Sequence, residues 1–277
     1  MMPLDLPNTL EVLDIASLAA HCERHPNIRR VVREVLLFEA VDSTNRVAME
    51  MASSGMPGGI AIFAEAQRAG RGRRGRAWFS PPGVNLYLSF FLTPYDPPET
   101  FPLFSFAAAL AVVMAIRETM GLSAQIKWPN DVLLDGKKVG GVLLESATRR
   151  EGNAPLIVGI GINVNAMDFP PGIAAQATSL QQATGRPVDR NAVARTLLEA
   201  FSTQCLLLGG NQRATLMKTV RTLCPTLGKR VCVAAPGRIY EGIAEDIAPD
   251  GALILRMGDG HVRHLHAGEV TRLRESP

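Results

Sequence analysis

The sequence predicts an α+β protein in three parts: an N-terminal extension (1–33), a mixed-sheet domain (34–225) and a small C-terminal β-barrel (226–277). Three observations carry this. Strand-like runs at 35–38, 60–64 and 86–91 alternate with helix-like stretches as far as residue 222. From Pro225 the texture changes to short strands separated by Gly237, Asp250-Gly251 and Asp259-Gly260, and Asp-Gly is a strong hairpin signal. The length of 277 residues suits about two domains. With 47% apolar and 20% charged residues, the chain has material for a core and too little charge for disorder.

The elements follow in order. Residues 11–23 fit a short amphipathic helix that Pro26 stops, and Arg29, Arg30 and Arg33 fit a solvated face. Residues 35–38 read as a strand. Asp42, Ser43, Thr44 and Asn45 supply N-cap residues to a helix whose Val47, Ala48, Met51 and Ala52 share a face; Gly55 and Pro57-Gly58-Gly59 end it. A strand at 60–64 leads into a long Gly- and Arg-rich loop, 65–83, then a strand at 86–91. The most apolar stretch, 101–116, stops at Arg117. Its 16 residues fall short of a membrane span, so 101–120 reads as a buried helix. Further strands are expected at 125–128, 132–134, 138–146 and 156–163, and helices at 189–208 and 211–222. The C-terminal strands are expected at 231–234, 239–247, 252–257 and 261–266.

The net charge is +3. Five arginines, Arg68, Arg71, Arg73, Arg74 and Arg76, lie within nine residues, and without them the chain carries −2. The excess is therefore local, an anion site rather than a nucleic-acid-coating surface. Cys22, Cys205, Cys224 and Cys232 form no CxxC pair, which argues against a disulfide framework or a cysteine zinc site. His264 and His266 read as surface histidines. The N-terminus lacks a basic segment followed by an apolar run, so the chain is expected to be soluble and cytoplasmic, with no membrane and no nucleic-acid partner.

Four segments can carry chemistry. In the loop, Gly70, Gly72 and Gly75 let backbone N–H groups approach an anion, and the arginines add forked donors suited to carboxylate or phosphate. Trp78 offers a flat face. Such a loop is expected to be mobile when empty and to order around an anion; it is also readable as a solvated basic loop. In KWPND (127–131), Pro129 rigidifies a turn. There Asn130 and Asp131 either hold a ribose, a phosphate or a metal through Asp131, or form a plain turn. Lys138, before Gly140-Gly141, is the better candidate for direct chemistry. Gly159 and Gly161 leave one face of a strand bare, either for a flat ligand or for tight packing against a helix. Ser43, Thr44 and Asn45 either cap a helix or hold a polar ring.

Taken in order, DSTN (42–45), EAQRAGRGRRGRAWFSPPGVNLYLS (65–89), KWPNDVLLDGKKVGGVLLES (127–146) and VGIGINVN (158–165) resemble the biotin protein ligase family. The resemblance covers roughly residues 34–270. It implies a catalytic domain similar to that of class II aminoacyl-tRNA synthetases, and an SH3-like C-terminal barrel. It also implies the chemistry: biotin and MgATP give biotinyl-5′-AMP, and the biotin then passes to one lysine of a biotin carboxyl carrier protein, such as an acetyl-CoA carboxylase subunit. Carried over, Ser43, Thr44, Asn45 and Gln67 surround the biotin ring. Arg71, Gly72 and Arg73 close over its tail. Lys138 meets the carboxylate and α-phosphate, and with Arg71 and Arg73 is expected to be catalytic. Arg76, Trp78, Asn130 and Asn163 lie near the nucleotide, and Gly159 and Gly161 lie under biotin. Asp131 is a candidate Mg²⁺ ligand, or the acceptor of the incoming lysine's proton. About 41 residues precede Asp42, fewer than the roughly 60 of a winged helix-turn-helix, so the resemblance is to the monofunctional branch, without a DNA-binding domain. Family members are often dimers, and a homodimer is a possible state. Lipoate ligases share the adenylation logic, but GRGRRG (70–75) and KWPND argue against them.

Overall fold

The computed structural model describes residues 12–94, 96–146, 153–209 and 212–272. Strands β1 (Glu34–Val41), β2 (Ile60–Gln67), β3 (Leu86–Leu92), β4 (Gln125–Lys127), β5 (Asp131–Leu134), β6 (Lys137–Ser146) and β7 (Leu156–Ile162) form one sheet, ordered β1-β2-β3-β7-β6-β5-β4. The helices are α1 (Ile15–Arg24), α2 (Pro26–Arg29), α3 (Thr44–Ser53), α4 (Pro102–Met120), α5 (Pro171–Ala174), α6 (Leu180–Thr184), α7 (Arg190–Gly209) and α8 (Arg213–Thr222). β1 and β2 pair in parallel, with α3 as their crossover; the other pairs are antiparallel, so the sheet is mixed as expected.

Alternation along the strands decides what each face does. Phe63, Leu88, Phe90, Val158, Ile160 and Ile162 belong to the main core with α4 and α7, where Phe90 stacks on Phe201 at 4.1 Å. Ile60, Ile62, Phe91 and Ile157 point the other way, under Ala48 and Ala52 of α3. With only ten residues, α3 covers part of this second face. The remainder carries the site described below.

From Leu103 to Val113, α4 is buried on all sides, by the sheet, by α7 and by the C-terminal domain. It runs three residues past the Arg117 stop, ending at Gly121 in the left-handed conformation (φ +69°). It is long and apolar enough to cross a membrane, but 78% of its most apolar window is buried inside the protein, as befits a core helix.

The C-terminal strands β8 (Arg230–Ala235), β9 (Arg238–Ile247), β10 (Leu253–Met257), β11 (Val262–Leu265) and β12 (Glu269–Arg272) form an antiparallel sheet in the order β11-β10-β9-β8-β12. Val231, Val233, Leu253 and Leu255 join the main core cluster, so the two domains share one hydrophobic core. Trp128 of KWPND sits in the seam, 1% exposed, and its indole N–H donates to the Gly251 carbonyl at 3.0 Å.

Several expectations need correction. α1 begins at Ile15, where the Asp14 carboxylate caps the Ser17 N–H; Glu11 lies outside the described residues, as does the expected helix start at 211. Pro26 ends α1 but also opens α2, a position where its missing N–H costs nothing. Residues 12–33 are no appendage: Leu13, Leu18, Cys22, Ile28 and Val32 are buried in the main core. Burial, ahead of the neighbouring His25, pulls His21 of α1 below the ordinary histidine range. β12, α5 and α6 were not foreseen, being short and weakly patterned.

Arg190 at the start of α7 reaches the buried Glu65 at 2.7 Å, and the other Glu65 oxygen accepts the Leu13 N–H, also at 2.7 Å. Glu65→Ala therefore takes the carboxylate away from a guanidinium whose side chain is 2% exposed. It is expected to destabilise the fold by about 3–5 kcal/mol, read as a lower urea midpoint. A midpoint within error of the parent contradicts this role for the pair.

Candidate active site

The site is built on the part of the sheet that α3 leaves open. Register places Tyr87 opposite Gly161 and Ser89 opposite Gly159, with Gly141 and Leu143 on the other side. Glycine at three of these positions leaves a bare strip. A Cβ on Gly159 would lie 2.1 Å from Asn45 Oδ1, and one on Gly161 would lie 2.4 Å from Trp78 Cε2. The flat group over Gly161 is thus the indole of the loop, and the group over Gly159 is an amide from the first turn of α3.

Lys138 reaches this face through an irregularity. Two-residue alternation from Gly141 would point Val139 at the site and Lys138 at the core. The β5–β6 register slips between Val132 and Leu133, so Val132 pairs with Gly140 but Leu133 with Lys138. The bulge turns Val139 into the core, fully buried, and swings Lys138 onto the site face. Its Nζ stands 2.6 Å from Asp131 Oδ1 and 5.3 Å from the centre of the Trp78 ring. The Lys138 backbone is strapped down as well, donating to Gln176 O (2.7 Å) and accepting from Thr178 N–H (2.9 Å). Asn163 Nδ2 donates to Thr178 O at 3.0 Å and so holds the strap.

A second group lies beside α3. Ser43 stands at the N-cap position, but its side chain makes no cap. The expected capping is done instead by Gln67, whose Oε1 accepts the Thr44 N–H at 2.9 Å and whose Nε2 donates to Ser80 Oγ at 3.1 Å. The Thr44 and Ser89 hydroxyls meet at 2.7 Å, and Ser89 Oγ lies 2.6 Å from Asn45 Oδ1. Asn45 Nδ2 donates to Glu145 Oε2 at 2.8 Å, and Arg71 pairs with the other Glu145 oxygen. Freed from capping duty, Thr44 and Asn45 become walls of the site.

The arginine loop is folded onto the body of the protein. Arg73 donates to Asn130 Oδ1 at 2.9 Å and lies 3.4 Å from the Gly268 carbonyl. Burial pulls its guanidinium below the ordinary arginine range, while Asp131 pulls it back up. Arg74 donates to Ala234 O at 2.6 Å, and Arg76 pairs with Glu269 at 2.8 Å. The glycines act differently from expectation. A Cβ on Gly70 would meet Ser80 Oγ at 2.5 Å and Trp78 O at 2.7 Å, so Gly70 lets the loop close on itself. Gly72 N–H is bonded to Arg76 O at 2.7 Å, and Gly75 takes φ +72°.

The sheet face thus gathers Thr44, Asn45, Gln67, Arg71, Arg73, Trp78, Asn130, Lys138, Gly159 and Gly161, with Asn163 as a buttress behind Lys138. Arg76 is drawn away to β12, and Ser43 is buried without a side-chain partner at the site. Asp131 is committed to Lys138, and among the described residues no trio of metal-ligating side chains forms around it. Sequence reasoning missed Glu145, which two-residue alternation with Gly141 marks, and Ser89, which only its register opposite Gly159 places at the site. It also missed the 176–178 strap, which has no local signal.

The chain matches the family model described as Biotin/lipoate A/B protein ligase family over residues 37–165, and the Biotin protein ligase C terminal domain over 226–272. It is 31% identical over 240 residues to the bifunctional ligase/repressor BirA of Bacillus subtilis, covering 86% of this chain and 74% of that one. It is 38% identical over 226 residues to the biotin–[acetyl-CoA-carboxylase] ligase of Paracoccus denitrificans, covering 79% of this chain and 93% of that one. Among solved structures, biotin protein ligase from Aquifex aeolicus in complex with biotin and ATP superposes with a TM-score of 0.75 at 29% identity, covering 88% of this chain and all of that one.

The bare strip can be tested without any ligand. The chain has two tryptophans, and Trp128 is fully buried, so a change in emission reports Trp78. Gly161→Ala is expected to push the Trp78 indole off the sheet, red-shift the emission, raise acrylamide quenching and cost about 1–3 kcal/mol. Unaltered emission and quenching contradict the packing of Trp78 on Gly161.

Proposed function

The chain belongs to the biotin protein ligase family, and on that footing we propose that its sheet-face site activates biotin with ATP and passes it to a lysine of a biotin carboxyl carrier protein. The observation that carries this reading is Lys138. It is a cation turned by a bulge over Gly141 of the glycine strip, flanked by a half-buried Arg73 and a flat Trp78.

In the first step an oxygen of the biotin carboxylate bonds to the α-phosphorus of ATP, and the bond to the β-phosphate bridge breaks, releasing pyrophosphate. Both reactants are anions. Two unit charges at about 4 Å repel by about 4 kcal/mol at an effective dielectric of about 20. Lys138 and Arg73 offset this repulsion and stabilise the charge growing on the phosphoryl oxygens. Asp131 holds the Lys138 ammonium in place. The glycine strip seats Trp78, Asn45 and Lys138 close to the backbone, and orientation of the two reactants against these side chains supplies a further share of the rate. Arg71 and Arg73 keep the mixed anhydride away from water. In the second step the neutral carrier lysine attacks the acyl carbon, the acyl–phosphate bond breaks with AMP as the leaving group, and the proton shed by the amine passes to the AMP phosphate or to solvent. The chain needs no covalent enzyme intermediate. Mg²⁺ enters as part of the nucleotide substrate, and no protein ligand is assigned to it. The carrier belongs to a biotin-dependent carboxylase, and the setting we infer is the cytoplasm.

Lys138→Ala is expected to lower biotin-dependent ATP–pyrophosphate exchange about 10²- to 10³-fold while far-UV circular dichroism stays unchanged. Exchange within a few-fold of the parent sinks the assignment. Arg73→Gly should release biotinyl-5′-AMP faster in a filter-retention assay, and equal retention by both proteins means the loop does not hold the adenylate. Biotin should raise the melting temperature where lipoate does not; stabilisation by lipoate alone overturns the choice of substrate.

A further inference from the structure

On the helical layer, on the far side of the sheet from the site, α1 and α7 bring three side chains together that the ligase reaction does not use. We propose that His21, His25 and Glu199 form a binding site for a divalent transition-metal ion of the zinc class.

The three donor atoms, one from each residue, lie within 4.8 Å of one another. His21 Nε2 is 2.7 Å from Glu199 Oε1, and His25 Nε2 is 3.7 Å from the same oxygen. Tetrahedral zinc with bonds of about 2.0–2.2 Å sets its ligands roughly 3.3–3.5 Å apart, so the two distances straddle what the ion requires. Small side-chain rotations close the difference. The sequence spacing is the cause: residues four apart fall on one face at the end of α1, and the two rings stand 4.1 Å apart.

Two details favour a ligand set over a plain histidine–carboxylate contact. First, His25 Nδ1 lies 2.8 Å from the His21 carbonyl. With the proton on Nδ1 in that hydrogen bond, Nε2 presents its lone pair to the cluster, the arrangement that orients imidazole ligands in metal proteins. Second, His21 is 9% exposed and its Nε2, 2.7 Å from Glu199 Oε1, is turned into the cluster rather than to solvent. His25 and Glu199 are 43% and 42% exposed, so an ion can enter, and the fourth corner of its tetrahedron opens to water. Bound there, the ion would tie the N-terminal helix to α7. Cys22 is adjacent in sequence but buried in the main core, and it is not one of the three.

The test uses the full chain, stripped with a chelator and titrated with Zn²⁺ in a calorimeter. The parent should bind one equivalent more than His25→Ala and than Glu199→Gln. Both substitutions fall at partly exposed positions, and intact biotin-dependent pyrophosphate exchange in each variant certifies its fold. Zn²⁺ should raise the melting temperature of the parent and not of either variant. Co²⁺ in place of Zn²⁺ should give visible d–d bands without a thiolate charge-transfer band. Equal stoichiometry in all three proteins, or no binding by the parent, overturns the proposal; so does a thiolate band, which would move the ion to a cysteine.

Discussion

The constraint on which the rest depends is the absence of side chains along one strip of one sheet face. Gly141, Gly159 and Gly161 sit side by side on β6 and β7, and each close neighbour occupies space that a methyl group would take. Because the strip is bare, Trp78 can lie against the backbone, Asn45 can reach inward from α3, and Lys138 Nζ can lie over Gly141. The opposite face of the same strands is filled by Val158, Ile160 and Ile162, which bind the sheet to α4 and α7. One strand thus anchors the fold with one set of residues and clears ground with the other.

Electrostatics is arranged with similar economy. Each cation near the strip already has a polar partner: Lys138 has Asp131, Arg71 has Glu145, and Arg73 has Asn130 and a carbonyl. The charges are therefore held in position by the fold before any anion arrives. Fixed donors of this kind stabilise developing charge without reorganising at the moment of reaction.

Much of this was legible in the sequence. The strands of the main sheet, the α4 and α7 helices and the change of texture after Pro225 follow from periodicity and turn residues. The site motifs were each open to a plain structural reading, and it was their order along the chain that carried the family resemblance. What the sequence concealed is longer in range. The bulge that aims Lys138 depends on a register slip between strands, and single-strand alternation assigns that lysine to the wrong face. The helix cap at Thr44 comes from Gln67, 23 residues away, where local capping rules point to residues 42–45. Residues 12–33 looked mixed in composition, yet their apolar positions complete a core supplied by α7.

The arginine loop touches the C-terminal sheet at three places: Arg73 at Gly268, Arg74 at Ala234 and Arg76 at Glu269. The Arg76 pair is solvent-exposed, the class that contributes only about 0–1 kcal/mol. Any upward swing of this loop must undo all three contacts together, across the seam that Trp128 seals. The small domain therefore clasps the loop at three points, and the seating of one sets the resting place of the other.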